Sequence, residues 1–268
     1  MNLLTAVAIV VVTLVVGSLL YVIVARYSPE GGRGERTPTN VYVVTGGAMS
    51  LLIAFTMSLT FTQYLSAQQA AQQEAEAVTA MSRAATFMQP AVRDQLRDQL
   101  VCYSEEVISS EWPWMREGNT AVLPAVWKTL DTMDAILAAN VEAAGPGLSI
   151  WESANQQRHA AHIQRLQAAG DGVPAVLWLM LIFGSLITVG SLFVYADRSK
   201  PAWGHAMVII GPLFVASAAL VVIAFFDHPY ATTPGAIPPE AMQTTLNHLT
   251  QDRLGNMPLP HCPTGAAT

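Results

Sequence analysis

Residues 41–66 read VYVVTGGAMSLLIAFTMSLTFTQYLS, and no position among them carries a charge. A helix rising 1.5 Å per residue crosses about 30 Å of hydrocarbon in about 20 residues, so this stretch is long enough to span a membrane. Three further stretches share its length and its lack of charge: Leu3–Ala25, Val173–Ala196 and His205–Phe226. A soluble domain would have to bury all four on every side, and a chain of 268 residues has too little interior for that. The expectation is an all-α integral membrane protein with four transmembrane helices.

Composition agrees. The chain is 52% hydrophobic and 12% charged, against about 25% charged in soluble domains. Its net charge of −6 leaves no broad basic field for nucleic acid. The N-terminal apolar run lacks a basic leader and an Ala-x-Ala cleavage pattern before Arg26, so it reads as an anchor rather than a signal peptide.

Working outward from residues 41–66, the chain divides into a membrane hairpin (1–66, spans 3–25 and 41–66), a polar helical insert (67–172), a second hairpin (173–226, spans 173–196 and 205–226) and a tail (227–268). The loops Arg26–Asn40 and Asp197–Gly204 are short and lie on one face of the membrane; the insert and tail lie on the other. Arg26, Arg33, Arg36, Arg198 and Lys200 occupy the short loops, while only Arg158 and Arg165 lie within about 15 residues of the opposite membrane ends. The positive-inside rule therefore favours a cytoplasmic place for the short loops and an extracytoplasmic one for the insert.

No helix breaker stands between residue 66 and Pro90, so the second span is expected to continue as one helix of about 70 Å through the Ala/Gln/Glu-rich segment. Beyond Pro90, Val92, Leu96, Leu100, Tyr103 and Val107 form one stripe of a second helix. Leu123, Val126, Trp127, Leu130, Met133 and Leu137 mark a third, which ends by the break at Ala143–Gly147. Ser149–Ala169 forms a fourth, and four amphipathic helices joined by short breaks suffice for a bundle. In the tail a short helix is expected over Pro239–Leu254, with a loose end beyond.

None of the four spans contains an ionisable side chain of the kind that marks proton relays or pumps, apart from His205 at the edge of the fourth. The second span offers small residues and hydroxyls instead: Gly46, Ser50, Ala54, Ser58 and Thr62 recur every four residues, with Thr56 and Thr60 beside them. Such a ladder serves close helix packing in lipid. It also suits a pore in which hydroxyls replace hydration and apolar rings constrict, and the two roles are compatible in an oligomer.

His159 and His162 share a helix face, but a metal site needs three or four converging ligands, so both are read as solvated and no metal is expected. Glu105, Glu106 and Glu111 precede Trp112-Pro113-Trp114; Glu111 is expected near a helix end and Trp112 in the bundle. No phosphate loop, nucleophile–base pattern or zinc spacing appears, so neither enzymatic activity nor a cofactor is expected. Cys102 and Cys262 are two crossings apart and so share a side, where a disulfide could form if that side is oxidising; two unpaired thiols are the expectation.

The order of these features resembles the bacterial bestrophin-like membrane proteins, distant relatives of the bestrophin channels. The resemblance rests on the anchor, the second span continuing through Gln72-Gln73-Glu74-Ala75-Glu76, the Glu111-Trp112-Pro113 element and the exit Asp227-His228-Pro229-Tyr230, with Asp227 and Pro229 as structural markers. The arginine usual just after the second span is absent, and Gln63 and Tyr64 stand there. The resemblance implies a pentameric homo-oligomer in the plasma (inner) membrane of a bacterium, passing small inorganic ions, anions foremost. Ile53, Phe55, Thr56, Thr60, Phe61 and Gln63 would line its pore, while Gly46, Ser50, Ala54 and Ser58 pack helices. It also implies a cytoplasmic helical domain, where the charge count favours the opposite side. A non-conducting scaffold docking a partner through Ser66–Gln73 is the alternative.

Overall fold

A computed structural model describes residues 3–27, 39–170, 172–194, 202–232, 235–251 and 262. Every regular element among them is helical, as expected: α1 (Leu3–Tyr27), α2 (Thr39–Ala85), α3 (Pro90–Glu106), a π-helical turn (Val107–Glu111), α4 (Trp112–Arg116), α5 (Pro124–Ala139), α6 (Val141–Ala144), α7 (Gly147–Gly170), α8 (Ala175–Val194), α9 (Ala202–Phe226) and α10 (Glu240–Gln251). Most of the two short loops, including Arg33, Arg36, Arg198 and Lys200, lies outside the described residues. So does the loose end from Leu254 onward, Cys262 excepted.

Two compact units form. Residues 1–63 and 172–227 make the first, residues 64–171 and 228–268 the second. α2 runs unbroken through both stretches, because nothing between Thr39 and Ala85 removes a backbone donor or demands a non-helical φ.

In the first unit α9 packs on α1 and on α8. Met49 of α2, Leu181 of α8 and Ile223 of α9 form a small buried core, surrounded by Leu52, Ile53, Trp178 and Leu220. Gly184 of α8 permits this approach, since a Cβ there would sit 2.6 Å from Met49 Sδ. Asp227, at the end of α9, accepts the backbone N–H of Val173 and, at 3.3 Å, Trp178 Nε1–H. One carboxylate thus fixes the start of α8. The outer surface is apolar: Leu51, Phe55, Phe183, Ile187 and Val215 are all exposed. Among the described residues one helical segment, Val44–Ala85, is long and apolar enough to cross a membrane, or two if α7 and α8 are taken as one broken span.

The second unit has the larger core, built around Val78, Met81, Leu96, Leu100, Met133, Trp151 and Leu166. α3 starts at Pro90, and its stripe of Val92, Leu96, Leu100 and Tyr103 faces inward. α5 starts at Pro124 and buries Val126, Leu130, Met133 and Leu137, whereas Trp127 of the expected stripe points outward. Gly145 closes α6 at φ +48°, where side chains are strained. Gly147 then lets α7 begin against the end of α2, where a Cβ would lie 2.8 Å from the Ala84 carbonyl oxygen. α10 packs on α3 and meets α2 where Thr245 Oγ1 donates to the Ala75 carbonyl at 3.2 Å.

The expected pair of unpaired thiols is corrected here: Cys102 and Cys262 form a disulfide, with Cα atoms 5.2 Å apart. Cys102 lies on the inward side of α3, and the returning chain brings Cys262 to it across 160 residues. The count of crossings allowed the two a common side, but nothing in the spacing brings them together.

Candidate functional site

Along α2 the positions 67, 71, 74, 78, 81 and 85 alternate in steps of four and three, which places them on one inward face. Five are Ala67, Ala71, Val78, Met81 and Ala85; the sixth is Glu74, and all six are buried. A carboxylate on such a stripe requires a partner. Arg165 of α7 supplies it: Nε donates to Glu74 Oε2 at 2.5 Å and Nη2 to Glu74 Oε1 at 3.1 Å. The same Nη2 donates to Glu111 Oε2 at 2.5 Å. Arg165, Glu74 and Glu111 are completely buried.

Glu111 reaches this position because the helix does not end before it. α3, the π-turn and α4 form one continuous helical run, and the Trp112 N–H bonds back to the Val107 carbonyl. The extra residue in that turn sets the angular position of Glu111, Trp112 and the rest of α4. The expected helix end near Glu111 is thereby corrected, while Trp112 enters the core as anticipated. Its Nε1–H donates to the Ile237 carbonyl at 3.2 Å, its ring meets Tyr230 edge-on at 5.6 Å, and the Arg165 guanidinium lies 5.0 Å from its centroid. Pro113 is exposed and Pro229 buried. The Pro229 carbonyl accepts the Ile237 N–H at 2.8 Å, and Tyr230 Oη–H donates to the Ala67 carbonyl at 2.9 Å.

Three more side chains complete the network. His162 Nε2 lies 2.9 and 3.0 Å from the two Glu111 oxygens and carries the proton toward them. It is 1% exposed, which corrects the expectation of a solvated histidine; the burial of α7's inner face decides the matter. Its neighbour His159 stays exposed. Tyr103 Oη–H donates to Glu74 Oε1 at 2.6 Å and accepts Arg158 Nη1–H at 3.3 Å.

Burial alone would push the Glu111 carboxyl up. The Arg165 charge and the contacts from His162 reverse this and hold it at about 2. Burial works against the Arg165 charge, but the two carboxylates more than offset it and raise the guanidinium above its usual range. Burial, reinforced by Glu74, pushes the Tyr103 phenol well up, so it remains a donor.

Glu74, Glu111 and His162 bring ligand atoms within 4.8 Å of one another, a donor set of metal-binding type. The Arg165 guanidinium, however, already lies between both carboxylates. A metal ion would have to displace it or sit against a like charge. The cluster therefore acts as an ionic bolt joining α2, α7 and the π-turn.

In the first unit the sequence-derived candidates of α2 separate by face. Thr56 and Thr60 are buried, with hydroxyls donating to the carbonyls of Leu52 at 2.9 Å and Thr56 at 3.1 Å. Ile53 shares that side, packed at the small core. Phe55, Phe61 and Gln63 are exposed, and Phe61 meets Phe226 edge-on at 5.4 Å. Of the small-residue ladder, Gly46 is half-buried near Thr188, while Ser50, Ala54 and Ser58 are exposed.

Sequence reasoning missed the ionic network. Two signals were present: Glu74 interrupting an apolar face of α2, and Arg158, His162 and Arg165 at spacings of four and three on α7.

Among solved structures, one of a bacterial bestrophin homologue from Klebsiella pneumoniae shares 14% identity and a TM-score of 0.72, covering 92% of this chain and 99% of that one. A second from the same organism, with a different substitution, shares 13% identity at the same TM-score, covering 92% and 97%. A structure described as that of a membrane protein matches at 14% identity and TM-score 0.72 over 93% and 100%. These likenesses show a shared fold. No curated protein matches the sequence. Residues 10–233 match the profile of the Bestrophin-like domain, and the chain belongs to that family.

Proposed function

We propose that this protein is a membrane-embedded homo-oligomeric channel of bestrophin type, not an enzyme, passing small inorganic ions and favouring anions. The observation that carries the reading is the open face of α2. One stripe (Met49, Ile53, Thr56, Thr60) packs within the chain, while Leu51, Phe55, Ser58 and Thr62 remain exposed and uncharged. In an assembly with the second span innermost, as membership in the family supports, this face borders the axis. Its aromatic rings constrict and its hydroxyls stand in for lost hydration. Phe55, Phe61 and Gln63 then act at the pore wall, and Ile53, Thr56 and Thr60 support it from behind. Gly46, Ser50, Ala54 and Ser58 admit close contact between neighbouring subunits, taken by resemblance as five.

The spans are α1, the first part of α2, α8 and α9. The 25, 20 and 25 residues of α1, α8 and α9 fit a hydrocarbon core of about 30 Å. A bacterial inner-membrane location with the second unit on the oxidising, extracytoplasmic side agrees with the disulfide and with the charge count.

The test is current across a planar bilayer under a chloride gradient. Discrete openings reversing near the chloride potential are expected, with unitary conductance altered by Phe55→Ala and unchanged by Thr60→Ala. Silence of the wild-type protein across voltage and pH overturns the reading. It would favour a scaffold that docks a partner through the exposed Gln68, Gln69, Gln72 and Gln73, for which co-purification of a stoichiometric partner is the check.

A further inference from the structure

In the second unit, away from the ionic bolt, the end of α2, the middle of α3 and α10 enclose a cavity of about 250 Å³. Ser82, Arg83 and Thr86 line it from α2 and its end, Arg97 from α3, and Thr245 and His248 from α10. No carboxylate is among its described lining residues. That is notable in a chain with 19 acidic and 13 basic residues. Two guanidinium groups facing one space without a counter-charge among the described lining residues repel each other unless an anion joins them.

The hydrogen bonding points the same way. Arg97 Nε is buried and has no hydrogen-bond partner among the described residues, whereas Arg93, one turn earlier on the same helix, places its Nε 2.8 Å from Asp94. A buried guanidinium N–H left without an acceptor is destabilising, and such an orphan calls for a ligand or water. The threonine hydroxyls do not answer it. Thr86 Oγ1 donates to the Arg83 carbonyl at 2.6 Å, and Thr245 Oγ1 to the Ala75 carbonyl at 3.2 Å. The donors left for a ligand include the two guanidinium groups, and arginine forks match the spacing of oxygens on phosphate or sulfate. At about 30 Å³ per water in the liquid, the cavity has room for a tetrahedral oxyanion and accompanying water.

We propose that this cavity is a binding site for a tetrahedral oxyanion, a phosphate or phosphoryl group held by Arg83, Arg97 and His248. Occupancy would tie α10 to α2 and α3, independently of whether the membrane helices conduct. Free phosphate and a lipid headgroup offer the same chemistry, and the test separates them.

Full-length protein in a non-phosphate detergent is titrated calorimetrically with inorganic phosphate and, separately, with a water-soluble short-chain phosphatidic acid, at constant ionic strength in chloride. Saturable one-site binding is expected, weakened about tenfold or more in Arg97→Gln and in Arg83→Gln by loss of a charge-assisted contact. Arg116→Gln, exposed on α4, is expected to bind as wild type. The tighter of the two ligands names the source. Arg83 is exposed at the rim, so its variant reports on the site even if Arg97→Gln loses the fold. No saturable binding of either ligand, equal binding in both arginine variants, or equal competition by chloride would each overturn the proposal.

Discussion

Arg165 is the side chain on which the second unit depends most directly, because it neutralises two buried carboxylates at once. Arg165→Gln leaves Glu74 and Glu111 close together in a dry interior, and an uncompensated buried charge costs about 3–5 kcal/mol. Chemical denaturation in detergent should register a loss of that size; a loss below about 1 kcal/mol would mean that the network is solvated. Glu111 adds a pH dependence whose sign is set by its depressed folded value. With about 2 in the folded state and about 4.3 unfolded, its contribution is present above about pH 4.3 and lost as pH falls toward 2. The shift corresponds to about 3 kcal/mol at most. Glu111→Gln should flatten stability against pH over that window, and an unchanged slope would assign the acid sensitivity elsewhere. The pairing was legible in the sequence only as two separate signals, Glu74 on an apolar face of α2 and Arg158, His162 and Arg165 on one face of α7. The partners lie 91 and 54 residues from Arg165, and only the bundle brings them together. His162 illustrates the same limit: on its own helix it has the pattern of a surface residue, and burial comes from helices elsewhere in the chain.

At the scale of elements, local rules reach further. Pro90 and Pro124 open α3 and α5, because in a first turn proline's missing N–H breaks no intrahelical hydrogen bond. Apolar spacing placed Val92, Leu96, Leu100 and Tyr103 correctly. The π-turn at Val107–Glu111 was not legible, since no residue type demands it; packing of Glu111 and Trp112 selects it. Close approaches escaped for a similar reason, because a glycine discloses room but not what fills it. Gly147 is the sharpest instance. A Cβ there would meet the Ala84 carbonyl oxygen at 2.8 Å and Met88 Cγ at 2.7 Å, and the backbone oxygen cannot yield as a flexible side chain can. Gly147→Ala should therefore cost about 1–3 kcal/mol, the range for overpacking, despite alanine's better helix propensity. A thermal midpoint equal to or above that of the wild type would show that α7 shifts freely from the end of α2.

For the whole molecule the disulfide is the most consequential link, since it joins α3 to the C-terminal segment across 160 residues. Closing so long a loop restricts the unfolded chain by about 5 kcal/mol at most in the chain-entropy account. A disulfide persists only where the compartment oxidises thiols. The bond therefore bears on membrane orientation as well as stability. If the second unit faces the extracytoplasmic side, Cys102 and Cys262 are joined in intact cells. Cells lysed in the presence of a thiol-blocking reagent, then reduced and treated with a maleimide polymer, should yield protein carrying two polymer tags. Omitting the reduction should yield none. Blocked cysteines that accept no tag after reduction would place the second unit in the cytoplasm. That result would leave the four-span reading standing while reversing its direction, because an even number of crossings keeps the insert and the tail together on either side.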